Sequence, residues 1–141
     1  MKFEPGKKRY NDYPTYFRTL FQERVQKLSI DGGFTCPNRD GSKGVGGCSF
    51  CNSESFNPGY CRAVRGITEQ IDEGIHFFAR KYNGQRYLAY FQAYSNTYAP
   101  LDVLKQRYEE ALAHPMISGL VVGTRPDVVN EEILDYLGGL A

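Results

Sequence analysis

Alternating strand-like and helix-like segments predict an α/β fold on a parallel sheet, and three observations carry that reading. Tyr87–Tyr94 is a near-continuous apolar run, as expected of a strand covered on both faces. Pro100 then opens a helical stripe through Leu101, Leu104, Tyr108 and Leu112, which stops at His114-Pro115. Gly119–Gly123 repeats the strand signature, and strands that alternate with helices pair in parallel through right-handed crossovers.

The remaining elements follow in chain order. Tyr13, Tyr16, Phe17, Leu20 and Phe21 recur at helical spacing, with Pro14 suited to the first turn. This aromatic face is expected to be core, with a base-stacking platform as the competing use. Arg24–Asp31 reads as the first strand, stopped by Gly32-Gly33. A second helix carries Ile67, Ile71, Ile75, Phe78 and Tyr82 on one face and ends at Asn83-Gly84. Asn130 is placed to cap a last helix through Ile133, Leu134 and Leu137. Three strand–helix units then end with the third strand's outer edge unprotected. Residues 24–141 therefore read as the N-terminal half of a barrel-like domain, and residues 1–23 as a helical extension.

Composition narrows the class. The 141 residues suit one domain, and 41% hydrophobic with 23% charged residues is ordinary for a globular protein. No apolar run approaches the roughly 18 residues needed to cross a bilayer, so no membrane role is expected. The opening residues lack an apolar core, which predicts no secretory leader and a cytoplasmic location. There, reduced cysteines gathered in sequence favour metal over disulfides. The net charge of +1 divides unevenly, +5 over residues 1–66 and −4 over residues 67–141, so the first half could attract an anionic substrate, RNA included.

The chemistry-bearing segment follows the first strand. Cys36, Cys48 and Cys51 stand at a Cys-x11-Cys-x2-Cys spacing within a glycine-rich loop. Three soft thiolates closing on one place hold iron or zinc and leave a coordination position free. In βα folds ligands gather at the carboxyl ends of strands, where this loop begins. Glycines at 41, 44, 46 and 47 would let backbone N–H groups approach sulfur, and they do not match the phosphate-loop pattern. Gln92, Tyr94, Ser95 and Asn96 end the second strand and Arg125 ends the third, where Arg125 could reach a carboxylate or pair with Asp127. Phe50 reads either as a core residue or as a ring packed against whatever the cysteines hold. Cys61 permits a four-cysteine structural zinc site, or is a free thiol.

The motifs Gly32–Gly41 (GGFTCPNRDG), Gly46–Asn52 (GGCSFCN), Tyr87–Tyr94 and Gly123–Asp127 (GTRPD) carry a family resemblance. The chain resembles the start of radical S-adenosylmethionine (radical SAM) enzymes of the Elongator-like subgroup, and most of all the bacterial YhcC-like family. The resemblance spans most of the chain. Its long first cysteine interval departs from the usual three-residue spacing but is a feature of that subgroup. It implies a partial TIM-like barrel, here its first half. Cys36, Cys48 and Cys51 would each ligate an iron of a [4Fe–4S] cluster, whose fourth iron would bind the amino and carboxylate groups of S-adenosylmethionine. Reductive cleavage would release a 5′-deoxyadenosyl radical, with the electron supplied by a donor such as flavodoxin or ferredoxin. Phe50 matches the family position beside the cluster and adenine. Gln92, Tyr94, Ser95 and Asn96 stand where the superfamily usually presents a Gly-Gly-Glu-type motif to the methionine amine, a motif missing here, and Arg125 could reach a carboxylate or ribose of the cofactor. The competing reading is a zinc-stabilised nucleic-acid-binding module without catalysis.

Overall fold

The computed structural model describes residues 8–52, 57–63, 65–83 and 85–141. The sequence readings at residues 1–7 and at Gly84 lie outside these. The described chain runs α1 (Tyr13–Phe21), β1 (Arg24–Ile30), α2 (Ile67–Ala79), β2 (Gln85–Phe91), α3 (Leu101–Leu112), β3 (Ile117–Val122) and α4 (Glu131–Gly139), with a 3-10 turn at Pro126–Val128. The strands form one parallel sheet in the order β1-β2-β3. The α/β class and parallel sheet are as the alternation predicts.

One face of the sheet holds the core. Leu28 and Ile30 of β1, Tyr87, Ala89 and Phe91 of β2, and Ile117 of β3 pack with Ile67 and Ile71 of α2, Leu104, Tyr108 and Ala111 of α3, and Ile133 of α4. The alternation follows from the two-residue period of strands, which sends every second side chain to the helices. On the opposite face Arg86 is exposed and Tyr90 half-buried, so β2 is not sealed evenly on both sides as its apolar run suggests.

Helix ends follow local chemistry. The Asp12 carboxylate accepts the Thr15 N–H at 2.9 Å ahead of Pro14, and the Asn130 side chain accepts the Ile133 N–H at 2.9 Å. The α1 face departs from expectation. Tyr13, Phe17 and Phe21 stack along the helix at 4.4 and 6.0 Å, yet no residue of α1 is buried and Leu20 is 57% exposed. A single short helix laid beside an edge strand cannot enclose a five-residue apolar face. Helix α2 stops at Ala79, short of Tyr82, whose ring instead lies 3.6 Å beneath the Arg24 guanidinium.

β1 stops one residue before Asp31 because a side chain takes over the backbone there. Gln70 of α2 is fully buried; its Oε1 accepts the Asp31 N–H at 2.9 Å while its Nε2 donates to the carbonyls of Asp31 and Arg65 at 3.0 and 3.1 Å. This amide fixes the point where the cysteine loop leaves the sheet.

Candidate functional site

The interval between Cys36 and Cys48 folds into a small hairpin. The chain turns at Cys36, whose carbonyl accepts the N–H of Arg39 and of Asp40, then pairs Asp40 with Val45 in an antiparallel bridge. Asp40 Oδ1 accepts the Ser42 N–H at 2.9 Å and the Ser42 hydroxyl at 2.7 Å, a local turn that aspartate favours. Gly41, Gly46 and Gly47 have φ of +93, +86 and +85°, in the left-handed region open to glycine. The long spacing thus returns Cys48 to the start of the loop, where Gly47 N–H donates to the Asn38 carbonyl at 2.9 Å.

The hairpin tip is tied to the ends of the other two strands. Ser42 Oγ lies 2.9 Å from Tyr98 Oη beyond β2, and Lys43 Nζ lies 2.5 Å from Asp127 Oδ2 beyond β3. Between them, the segment after β2 is pinned on both sides: Ser95 N–H donates to Thr35 O at 3.1 Å and Asn96 N–H to Gly123 O at 3.2 Å. Tyr94, at the apex, has φ +67°, uncommon for a residue with a Cβ and held here by those neighbouring bonds.

These tethers enclose a cleft of about 530 Å³ at the carboxyl ends of the strands. Cys36, Cys48 and Cys51 line it, together with Phe50, Gln92, Tyr94, Ser95 and Arg125. Asn96 does not. It is fully buried, and its Nδ2 donates to Gly123 O at 2.7 Å, which makes it a clamp between the β2 and β3 ends. Phe50 is 88% exposed, so the core reading of this ring is excluded. Cys61 is buried at 2% exposure and lies outside the cleft. Burial, then the charge of Asp31, pushes its thiol up to about 12.

Each loop sulfur has a side-chain N–H aimed at it. Asn38 Nδ2 donates to Cys48 Sγ at 3.0 Å, Arg125 Nη1 to Cys36 Sγ at 3.4 Å, and Arg39 Nη2 stands 3.9 Å from Cys51 Sγ. Burial on its own would raise the Cys36 thiol, but hydrogen bonds from Ser95, the Asn38 backbone and Arg125 outweigh it and hold the thiol below its ordinary value. Arg125 also makes the Asp127 pairing that the sequence offered as one of its two readings, its Nε and Nη2 gripping the carboxylate at 2.6 and 2.8 Å. Asn38 and Arg39 were not singled out from sequence. Their signal was adjacency to Cys36, since a turn at that cysteine returns both side chains toward the loop's other sulfurs.

Three thiolates in one cleft are a donor set that suits iron–sulfur clusters or zinc. Among the described residues no three His, Cys, Asp or Glu side chains are grouped to hold a metal ion. A lone zinc needs its sulfurs within about 2.3 Å of one point. A cluster distributes its thiolates over separate irons, so its sulfurs do not converge on one point.

Fold and cleft together define a parallel α/β protein with a cysteine loop at its strand ends. Its homologues are uncharacterised proteins: it is 46% identical over 117 residues to Protein YhcC of Escherichia coli (strain K12), which covers 83% of this chain and 37% of the relative. It is 36% identical over 133 residues to Uncharacterized protein YtqA of Bacillus subtilis, covering 94% of this chain and 41% of that one. Against Uncharacterized protein MJ0486 of Methanocaldococcus jannaschii the identity is 32% over 130 residues, covering 91% and 39%. The chain therefore spans about two-fifths of the length of the curated relatives it matches. These names agree with the YhcC-like resemblance of the motifs. No family model matches the chain, and no solved structure does. No helix among the described residues is long and apolar enough to cross a membrane.

Proposed function

We propose that this chain is the cluster-bearing part of a radical SAM enzyme, with Cys36, Cys48 and Cys51 as the ligands of a [4Fe–4S] cluster and the strand-end residues facing S-adenosylmethionine. One observation carries the reading. The three loop cysteines share a cleft with the ends of β2 and β3, and each sulfur is within reach of a separate N–H donor, while the fourth cysteine is sealed elsewhere. When bound, the cluster and S-adenosylmethionine would supply one-electron cleavage of a sulfonium and a carbon radical.

The chain's own residues have separable tasks in this reading. Arg39 and Arg125 offset part of the charge of the thiolates, and with the Asn38 amide they orient the sulfurs. Gln92, Tyr94 and Ser95 present polar atoms at the same rim, where an amino acid headgroup could be held. Phe50, exposed at the loop's edge, offers a ring for an adenine to lie against. Asn96 and Asp127 act one step back, fixing the β2–β3 clamp and the Arg125 fork. The basic half, residues 1–66, suits an anionic substrate such as RNA, and an electron donor of the flavodoxin or ferredoxin kind would be required. The surrounding barrel belongs to the same proposal. The position of Cys61 weighs against a four-cysteine zinc module.

Anaerobic reconstitution of the full chain with iron and sulfide tests this directly. A brown protein holding about four irons is expected, lost in Cys36→Ser, Cys48→Ser and Cys51→Ser and kept in Cys61→Ala. A colourless product with stoichiometric zinc would overturn it.

A further inference from the structure

The sheet has a second face, and it leads to the cysteine cleft. Helices α2, α3 and α4 cover the side that carries Leu28, Tyr87 and Phe91. The strand period sends Lys27 and Ser29 of β1 and Tyr90 of β2 to the other side. Ser29 and Tyr90 are partners in the parallel register, so they stand next to each other. Gln92, the next residue of the Tyr90 alternation, lines the cleft with the cysteines. The strip around Tyr90 therefore lies about 7 Å below the cleft.

Helix α1 covers only the lower part of this face. Its Phe21 ring lies 5.7 Å from the Arg86 guanidinium and its Tyr13 ring 5.2 Å from Lys27 Nζ. Val25 and Leu88 on this face are buried, whereas Lys27, Ser29 and Tyr90 are half-buried. Lys27 Nζ also stands 4.6 Å from the centre of the Tyr90 ring, and such contacts orient an ammonium without neutralising it. Among the described residues no carboxylate pairs with Lys27, and neither the Ser29 nor the Tyr90 hydroxyl has a hydrogen-bond partner. The neighbouring charges are already engaged. Arg86 is paired with Glu23, and the Asp31 carboxylate above accepts the Gly33 N–H at 2.9 Å.

We propose that Lys27 anchors an oxyanionic group of the substrate, a carboxylate or a phosphate, with the Ser29 and Tyr90 hydroxyls donating to it. The ammonium supplies the charge, in a partly desolvated place where a charge-assisted hydrogen bond gains strength. The two hydroxyls can rotate to suit either oxyanion. A small molecule held there by one end extends past Gln92 toward the three cysteines. Calling this ligand the substrate rests on the cluster reading above; the anion site itself does not.

Titration of the full chain without added iron tests the anchor, using benzoate, phenyl phosphate and neutral benzyl alcohol at fixed ionic strength, followed by amide shifts. Saturable binding of an anion is expected, with shifts concentrated at Lys27, Ser29 and Tyr90, and no such binding of benzyl alcohol. It should weaken about tenfold in Lys27→Met, which keeps the stem, and severalfold in Tyr90→Phe, which keeps the ring. Lys105→Met on α3 should leave it unchanged. Tighter binding of benzoate assigns the site to a carboxylate, and tighter binding of phenyl phosphate assigns it to a phosphate. Shifts in the unsubstituted chain locate the site even if a variant misfolds. Binding that fails to saturate, that benzyl alcohol matches, that persists undiminished in Lys27→Met, or whose shifts fall elsewhere overturns the proposal. The titration needs no cluster, so its failure strikes the anchor alone, whereas a chain that cannot hold iron strikes the cluster reading alone.

Discussion

Arg125 holds Cys36 Sγ at 3.4 Å through Nη1 while its other two nitrogens grip Asp127 at 2.6 and 2.8 Å. The residue that ends the third strand unit is thereby aimed, by a carboxylate two positions on, at a sulfur that leaves the first. A cation at this distance favours the more reduced, more negative state of anything the thiolates hold. Arg125→Gln is expected to make the reduction potential of the reconstituted cluster more negative, on the order of tens of millivolts. Arg125→Lys should recover only part of the change, because an ammonium cannot span Asp127 and Cys36 together. Potentiometric titration read by electron paramagnetic resonance checks this; an unchanged potential in Arg125→Gln would confine the arginine to a structural role.

Gln70 supports the site from behind. Its amide replaces strand pairing at Asp31 and also holds the Arg65 carbonyl. Gln70→Leu keeps the volume and leaves one N–H and two carbonyls without partners, a loss of roughly 2–4 kcal/mol. A urea unfolding series gives the measurement. A midpoint within error of the parent chain would mean that water replaces the amide at no cost.

The sequence pattern reached the strands and the long helices because their apolar residues recur at the two periods that burial imposes. It also reached the α4 cap, because Asn130 satisfies a local need that three residues define. Gln70 escaped for the opposite reason: a glutamine beside Ile71 reads as the polar flank of a helix, and only the distant Asp31 backbone turns it inward. The aromatic face of α1 was legible as a face, but its degree of burial depends on what lies opposite, which no local pattern contains. At the candidate site the three cysteines were readable as a set. The donors at their sulfurs were less so, because Arg125 is 89 residues from Cys36 and meets it only through the parallel strand order.

Within the hairpin two neighbouring glycines separate conformation from contact. Gly46 and Gly47 share the left-handed region, with φ of +86 and +85°. A Cβ at Gly46 would meet nothing within 4 Å, whereas one at Gly47 would stand 2.8 Å from Arg39 Nε. Both alanine variants should lose about 1–2 kcal/mol for the backbone conformation. Gly47→Ala alone should also push Arg39 off Cys51 and lower iron retention severalfold on dilution. Measuring both variants by urea unfolding and by iron release isolates the second effect, and equal iron release from the two would remove Arg39 from the account.

Alkaline pH should weaken the fold through a buried pair that does not line the cleft. Burial, followed by the charge of Asp31, raises the Cys61 thiol from 9.0 to about 12. Burial, followed by the charge of Cys61, raises the neighbouring Tyr60 hydroxyl from 10.0 to about 12. In both cases the folded chain holds the proton more tightly than the unfolded one, so the stabilisation is complete below about pH 9 and is lost as pH rises toward 12. Urea midpoints should therefore be level from pH 7 to 9 and fall between pH 9 and 11. Cys61→Ala removes one of the two titrating groups, and should start about 1 kcal/mol lower at pH 8 for the buried sulfur it deletes. Its midpoint should then fall less steeply than that of the parent chain. In the metal-free chain at pH 8, iodoacetamide should label Cys36, Cys48 and Cys51 and spare Cys61 until urea is added. Parallel pH profiles for the two chains, or early labelling of Cys61, would show that this thiol is not shielded by the core.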